Sequence, residues 1–111
     1  MTAACIKLNE LLKGIMAKGY WITFYHSISN PAVLADYVKL ATPVVQAHRG
    51  RFISRGLPVK VYEAGIPERS VVVEFESVQD AMAAYESSEY KEAMKVLGDV
   101  KRDVRILEGI A

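Results

Sequence analysis

Two arginines and a glutamate are the residues of this 111-residue chain best suited to chemistry. Arg51 and Arg55 stand at even spacing in a predicted strand, so their side chains should point to the same face of a sheet. Glu74 lies in a second predicted strand that should run close by. A planar guanidinium group can bind two oxygens at once, which suits a carboxylate or an enolate. The sequence therefore predicts an arginine pair that holds an anionic group beside a carboxylate.

Glu74 adds a second chemical possibility, because a carboxylate whose pKa is raised by burial can act as a general base. Tyr25, from the first predicted strand, is the tyrosine expected to reach the same cavity. Two interpretations of this group stay open: a ligand-binding or catalytic site, and a network of ion pairs between subunits. Glu63 and Glu108 are further acids that the pattern assigns to neither face.

The other reactive groups form no recognisable motif. The two histidines, His26 and His48, lie on different predicted elements and lack the spacing of metal ligands, so we predict no metal site. The sequence contains no Gly-x-Ser-x-Gly elbow and no glycine-rich phosphate loop. We therefore predict no cofactor.

The charge balance argues against nucleic acid as a partner. The chain has 14 Lys and Arg against 13 Asp and Glu, without the basic surplus that binds phosphate backbones. Cys5 is the single cysteine, which excludes an intrachain disulfide and fits a reducing compartment. No stretch reaches the roughly 20 apolar residues of a membrane span, and the N-terminus lacks the apolar core of a signal peptide. We expect a cytoplasmic protein with no membrane contact.

The hydrophobic pattern predicts four strands and two helical regions in the order β-α-β-β-α-β. The first helix should begin at Asn30 and Pro31, and Pro43 should kink or break it. Ser77 and Ser87 should cap the helical segments after the third strand. The strands are predicted at residues 20–26, 51–55, 70–76 and 102–108, and residues 59–63 either continue the second strand or form a short hairpin arm.

This order is that of a ferredoxin-like α+β fold with an antiparallel sheet. Both helical regions should lie on one face, because each crossover should be right-handed. The length fits one domain, which we place at residues 17–111. Residues 1–16 differ in composition and precede a sequence that resembles a second start, so we predict that they form an N-terminal extension.

The sheet face away from the helices is expected to combine apolar and charged side chains. A fully solvated face seldom carries Ile, Val and Trp together, and a buried face would not carry unpaired charges. A second copy of the chain that covers this face and leaves a polar cavity meets both requirements, whereas the alternative is a solvated face of ion pairs. The residues expected there are Trp21, Thr23, Tyr25, Arg51, Ile53, Arg55, Val72 and Glu74.

Five motifs in order give the chain a resemblance to a known family. They are Gly19-Tyr20-Trp21-Ile22, the segment 47–56 around Gly50-Arg51-Phe52, the third-strand segment 71–77, the segment 85–90 with its tyrosine, serine and Glu-Tyr pattern, and Arg102 with Leu107-Glu108-Gly109. The chain resembles the domain-of-unknown-function 1330 family from Ala17 to Ile110. Arg49 departs from the pattern, since the family usually has glycine there; if the position needs a positive φ, either Arg49 is strained or the turn differs.

The resemblance implies a dimeric α/β-barrel in which two four-stranded sheets meet face to face, and it implies no established reaction. Relatives by fold include cofactor-free monooxygenases, lactone isomerases, haem enzymes and ligand-sensing domains, so the fold alone does not identify the function. Two functions stay open. One is a cofactor-free enzyme acting on a small carboxylated or aromatic substrate. The other is a non-catalytic homodimer that binds a small molecule or is associated with stress.

Overall fold

The structure is a computed structural model that describes residues 17–110. The chain folds into four strands and three helices, which confirms the α+β class. The predicted extension at residues 1–16 lies outside the described residues. In chain order the elements are β1 (Gly19–Tyr25), α1 (Pro31–Ala47), β2 (Arg51–Gly56), β3 (Ser70–Phe75), α2 (Val78–Glu86), α3 (Ser88–Leu97) and β4 (Arg102–Glu108).

The four strands form one antiparallel sheet in the order β2-β3-β1-β4. The first and last strands of the chain are therefore neighbours, as in the predicted ferredoxin-like topology. Residues 57–69 connect β2 to β3 without forming a strand, so the predicted continuation or hairpin arm at residues 59–63 is wrong.

The helices begin where the capping residues predict. Asn30, Ser77 and Ser87 each accept a hydrogen bond from a backbone N–H group two or three residues further along, at 3.0, 3.1 and 3.2 Å. Such caps satisfy donors that the first helical turn leaves free. No helix within residues 17–110 is long and apolar enough to cross a lipid bilayer.

Helix α1 continues through Pro43, so a break at this residue is wrong. Proline removes one backbone hydrogen bond from a helix. Ala41, Val44 and Val45 on either side are buried in the core. We attribute the continuity of α1 to this packing, because burial of these side chains offsets the lost hydrogen bond.

Arg49 has a φ of 66°, which places it in the left-handed region. Of the two alternatives, the structure therefore shows the first, because the turn keeps a positive φ at the position normally held by glycine and a non-glycine residue is strained there. The Arg49 guanidinium donates to the Asp80 carboxylate at 2.6 Å. The adjacent Gly50 has no room for a side chain, because a Cβ atom would lie 2.5 Å from Val45 Cγ1.

Strand β1 turns Trp21, Thr23 and Tyr25 toward the helices, so their predicted place on the open face is wrong. Each of these residues is only 3–4% exposed. The reason is aromatic packing, because the Trp21 ring lies 5.0 Å from the ring of Tyr90 and 5.4 Å from that of Tyr85, both on the helices. The open face instead receives the alternate residues of β1, which are Tyr20, Ile22 and Phe24.

Candidate anion-binding cavity

A small cavity opens between the helix side of the sheet and α1. Its volume is about 40 Å³. One water needs roughly 10–15 Å³, so the enclosed space has room for a few waters or a carboxylate group, and the rest of a larger ligand would extend through the open mouth. Most of its wall is apolar and aromatic, and three of its polar lining residues are arginines: Arg55, Arg69 and Arg102.

The strand register brings the three arginines to one end of the sheet. Tyr25 lies opposite Arg102 on β4, and its N–H donates to the carbonyl of Arg69 at 3.0 Å on the other side. Arg69, Tyr25 and Arg102 therefore form a row across neighbouring strands. Arg55 is paired with Val71, two residues beyond Arg69 along the neighbouring strand. The cavity mouth thus carries positive charge from β2, β4 and the residue that precedes β3.

Arg102 is held by tyrosines rather than by an acid. Its guanidinium donates to the hydroxyl of Tyr37 at 3.1 Å, to the hydroxyl of Tyr90 at 3.0 Å and to the sulfur of Met94 at 3.1 Å. The Cζ atom also lies 5.2 Å from the ring centre of Tyr37 and 5.5 Å from that of Tyr25. These contacts fix the guanidinium in place without neutralising its charge.

The other two arginines of the cavity also have hydrogen-bond donors without a partner in the described part of the chain. Arg69 has its Nε atom buried, with no hydrogen-bond partner among residues 17–110. A buried donor without a partner is costly, so the Arg69 side chain is not fully satisfied within the described residues. Arg55 is exposed at the mouth, with its Cζ atom 4.7 Å from the ring centre of Phe52. Neither guanidinium group is paired with a carboxylate among residues 17–110, so both leave positive charge at the cavity.

The cavity wall offers hydrogen-bond donors without acidic groups. Of the residues that the structure describes, no Asp, Glu, His or Cys lines the cavity. Its polar side chains are instead arginines and hydroxyl residues, including Tyr37 and Thr23. Within the same described range, no group of three or more His, Cys, Asp and Glu residues has the arrangement of a metal site. The lining therefore matches a negatively charged oxygen.

The two tyrosines beside Arg102 stay protonated at neutral pH. Burial raises the pKa of Tyr37, and burial together with the neighbouring Tyr37 raises the pKa of Tyr90. Burial opposes the charge of Arg102, but the oxygens of the two tyrosines outweigh it, so the pKa of Arg102 is raised. The group consists of one cation and two neutral hydroxyls.

The family of the chain follows from a sequence comparison. A family model described as a domain of unknown function, DUF1330, matches residues 18–110. The chain belongs to the DUF1330 family. No curated protein matches it.

Solved structures share the fold of this DUF1330 chain at low identity. A protein of unknown function from Rhodopseudomonas palustris is 12% identical, with a TM-score of 0.66 over 100% of this chain and 96% of that one. A dimeric ferredoxin-like protein from Bacteroides fragilis is 11% identical, with a TM-score of 0.56 over 82% and 95%. Another from Thermobifida fusca is 12% identical, with a TM-score of 0.57 over 83% and 91%. These similarities establish the ferredoxin-like fold.

The residues predicted to form one site are divided between the two faces of the sheet. Arg51 donates to Glu74 at 2.6 Å, and the Tyr20 hydroxyl donates to the other oxygen of Glu74 at 3.0 Å, all on the open face. Arg55 lies on the helix side instead. Tyr25 does line a cavity, but this cavity lies between sheet and helices rather than between two sheets.

A bulge in β2 explains why Arg51 and Arg55 do not share a face. Arg51 is paired with Glu74 and Phe52 with Val73, but the next paired residue is Ser54, opposite Val72. The extra residue, Ile53, reverses the alternation of the strand. The prediction from even spacing is therefore wrong, and Arg55 lies on the helix side, at the mouth of the cavity.

Alkaline titration tests the buried tyrosines. Because folding raises the pKa of Tyr37 and Tyr90, their contribution to stability is complete below about pH 10, the pKa of an unfolded tyrosine, and is lost above it. We expect the free energy of unfolding to fall above about pH 10 and both residues to ionise only on unfolding. Tyrosinate absorbance and circular dichroism, followed together, check this. Ionisation of all six tyrosines in a native fold near pH 10 would contradict it.

Proposed function

We propose that this protein is a homodimeric domain that binds a compact carboxylate in the cavity between its sheet and α1. The observation that carries the proposal is the set of three arginines at one cavity, lined by no acid among the described residues. A guanidinium group suits a carboxylate because its N–H groups match the two oxygens. The apolar wall suits the carbon skeleton of such a ligand.

Binding is favoured over base catalysis. A general base must reach the proton that it removes, and Glu74, the predicted base, lies on the opposite face of the sheet in a hydrogen-bonded pair with Arg51. The cavity could still stabilise an oxyanion that forms on a substrate, since arginines favour developing negative charge. A cofactor-free reaction there would need a substrate that loses its proton without help from the lining residues. We therefore favour a non-catalytic ligand-binding dimer.

The open face supports the proposed dimer. Phe24 is 42% exposed and Leu107 is 48% exposed on this face, beside the half-buried Ile22 and Val72. Its charges are already paired within the chain, since Arg105 donates to Asp103 at 2.7 Å as Arg51 does to Glu74. A partner could cover the face without leaving a charge unpaired. The structures from Bacteroides fragilis and Thermobifida fusca are described as dimeric.

Calorimetry with benzoate and its neutral analogue benzamide tests the proposed ligand class. Both probes have the same flat ring, which would extend through the open mouth of the cavity, and only benzoate carries a negative charge. We expect benzoate to bind and benzamide to bind at least about tenfold more weakly, because a hydrogen bond to a charged group contributes about 1.5–3 kcal/mol. Equal binding of the two probes, or binding of neither benzoate nor acetate, would overturn the proposal.

Two arginines on the same strand give a matched comparison. Arg55→Met removes a charge from the cavity mouth, whereas Arg51→Met removes one from the open face. We expect Arg55→Met to weaken benzoate binding by about tenfold and Arg51→Met to change it by less than about twofold. Titration of both variants in the same low-salt buffer measures the difference. A larger loss in Arg51→Met would place the binding site on the open face.

A further inference from the structure

We propose that the acidic oxygen of the ligand accepts a hydrogen bond from the Tyr37 hydroxyl, and that Tyr90 is the positioning residue that directs this hydroxyl into the cavity. The proposal rests on the proposed anion-binding function and deepens it. It names the ligand group as a carboxylate or enolate oxygen and names the donor that receives it.

Tyr90 is the starting point because it has no exposed surface. Within the described chain, its hydroxyl has two hydrogen-bond partners, Arg102 and Tyr37. A guanidinium group only donates, so Arg102 cannot accept the hydrogen of Tyr90. The Tyr37 oxygen is the one partner that can accept it. Otherwise a buried hydroxyl hydrogen would be left without an acceptor, which is costly.

Tyr37 therefore accepts on both of its lone pairs. One hydrogen bond comes from Tyr90 and the other comes from Arg102 at 3.1 Å. Its own hydrogen has no acceptor among residues 17–110. Tyr37 lines the cavity and Tyr90 does not, so the free hydrogen belongs to the residue that can meet a ligand. Two donors acting on one oxygen also polarise its O–H bond.

Thr23 is a second cavity-lining residue whose hydroxyl oxygen accepts a hydrogen bond from an aromatic side chain. Its hydroxyl oxygen accepts from the indole N–H of Trp21 at 2.9 Å, and Thr23 also lines the cavity. Its hydrogen has no acceptor in the described part of the chain. Two hydroxyls that line the cavity thus each accept from an aromatic residue and keep a hydrogen free to donate. A ligand oxygen that only accepts, as in a carboxylate or an enolate, fits this set.

A double-mutant cycle on benzoate binding tests the role of Tyr90. We expect Tyr37→Phe to raise the dissociation constant about tenfold, and Tyr90→Phe to raise it about threefold to tenfold. If Tyr90 acts through Tyr37, adding Tyr90→Phe to Tyr37→Phe should weaken binding no further. A purely structural role would give the same loss in both backgrounds, and that result would overturn the proposal.

Tyr85→Phe is the control for removal of a hydroxyl. Tyr85 packs in the same aromatic group, with its ring 5.1 Å from that of Tyr90, and among residues 17–110 its hydroxyl makes no hydrogen bond. This variant should keep benzoate affinity within about twofold.

A crystal structure of the unmodified protein with benzoate adds a test that needs no variant. A carboxylate oxygen within hydrogen-bond distance of Tyr37 supports the proposal, and a carboxylate bound elsewhere in the cavity overturns it while leaving the anion-binding function intact. Failure of the unmodified protein to bind benzoate or acetate overturns both.

Discussion

Replacement of Arg102 by methionine is expected to abolish benzoate binding while leaving the fold intact. Arg102 is the arginine most firmly held in the cavity, with contacts to Tyr37, Tyr90 and Met94. Methionine keeps an apolar, flexible side chain in its place. What the substitution removes is the charge, together with the hydrogen bonds that orient the two tyrosines.

The expected loss is large because the charge is partly desolvated. Removing one partner of a buried, hydrogen-bonded charge pair costs about 2–5 kcal/mol, which corresponds to a loss of affinity of roughly 30-fold or more. A ligand at about 100 times its dissociation constant stabilises a protein by about 2.7 kcal/mol. Benzoate at that excess should therefore raise the melting temperature of the unmodified protein clearly and that of Arg102→Met hardly at all.

Arg105→Met is the matched control for this experiment. Arg105 lies on the same strand, on the opposite face, and it donates to Asp103 at 2.7 Å. The variant removes the same charge from the chain, so the net charge changes equally in the two variants. Benzoate affinity should stay within about twofold in Arg105→Met. Equal losses in the two variants would show that net charge, rather than the cavity, governs binding.

The element order of the domain could be predicted from the sequence because its signals are local. The Asn30-Pro31 start and the serine caps each depend on a few neighbouring residues, and all of them lie where predicted. The positive φ of Arg49 followed in the same way from comparison with a family pattern. Such features need no knowledge of the tertiary contacts.

Which face each strand presents could not be predicted in the same way. For β1, both alternate sets are apolar or aromatic except for Thr23, so alternation alone does not say which set meets the helices. The position of Trp21 is decided by contacts with Tyr85 and Tyr90, which are more than 60 residues away along the chain. For β2, a single bulge at Ile53 reverses the face of Arg55, and the sequence carries no clear signal of it.

These two errors account for the difference between the predicted and the observed site. Arg55 and Tyr25 both line a cavity in the structure, but the predicted cavity lies between two sheets. Arg69 and Tyr37 were missed because neither lies in a strand next to the predicted pair. Arg102 appears in the family resemblance as part of the chain ending, and by alternation it shares a face of the last strand with the apolar Val104 and Ile106, which favour the helix side. That alternation, extended by two residues, was the available signal for Arg102.

Replacement of Ile22 by lysine is expected to convert the proposed dimer into a monomer. Ile22 lies in the middle of the open face, with Val72 on one side and Arg105 on the other in the strand register. A two-fold interface contains every residue twice, so one substitution introduces two charges. Burying an unpaired charge costs several kcal/mol, which exceeds what most single contacts contribute. Light scattering at micromolar concentration should give the mass of one chain, against two for the unmodified protein.

Val96→Lys separates loss of the dimer from the general effect of an added lysine. Val96 is 38% exposed on α3, on the helix side of the sheet, so its replacement should leave the mass at two chains. Phe24→Lys repeats the test at a position that the single chain itself leaves 42% exposed, which limits any damage to folding. A dimer that persists in both open-face variants would show that this face is not the interface.

The monomeric variant should still bind benzoate, and this result would separate the two parts of the proposed function. The cavity is lined by residues of one chain and lies on the side of the sheet opposite Ile22. Substitutions at distant sites without shared contacts usually act independently. We therefore expect the affinity of Ile22→Lys for benzoate to stay within about threefold of that of the unmodified protein. A complete loss of binding in the folded monomer would mean that the partner subunit helps to hold the cavity in its binding shape.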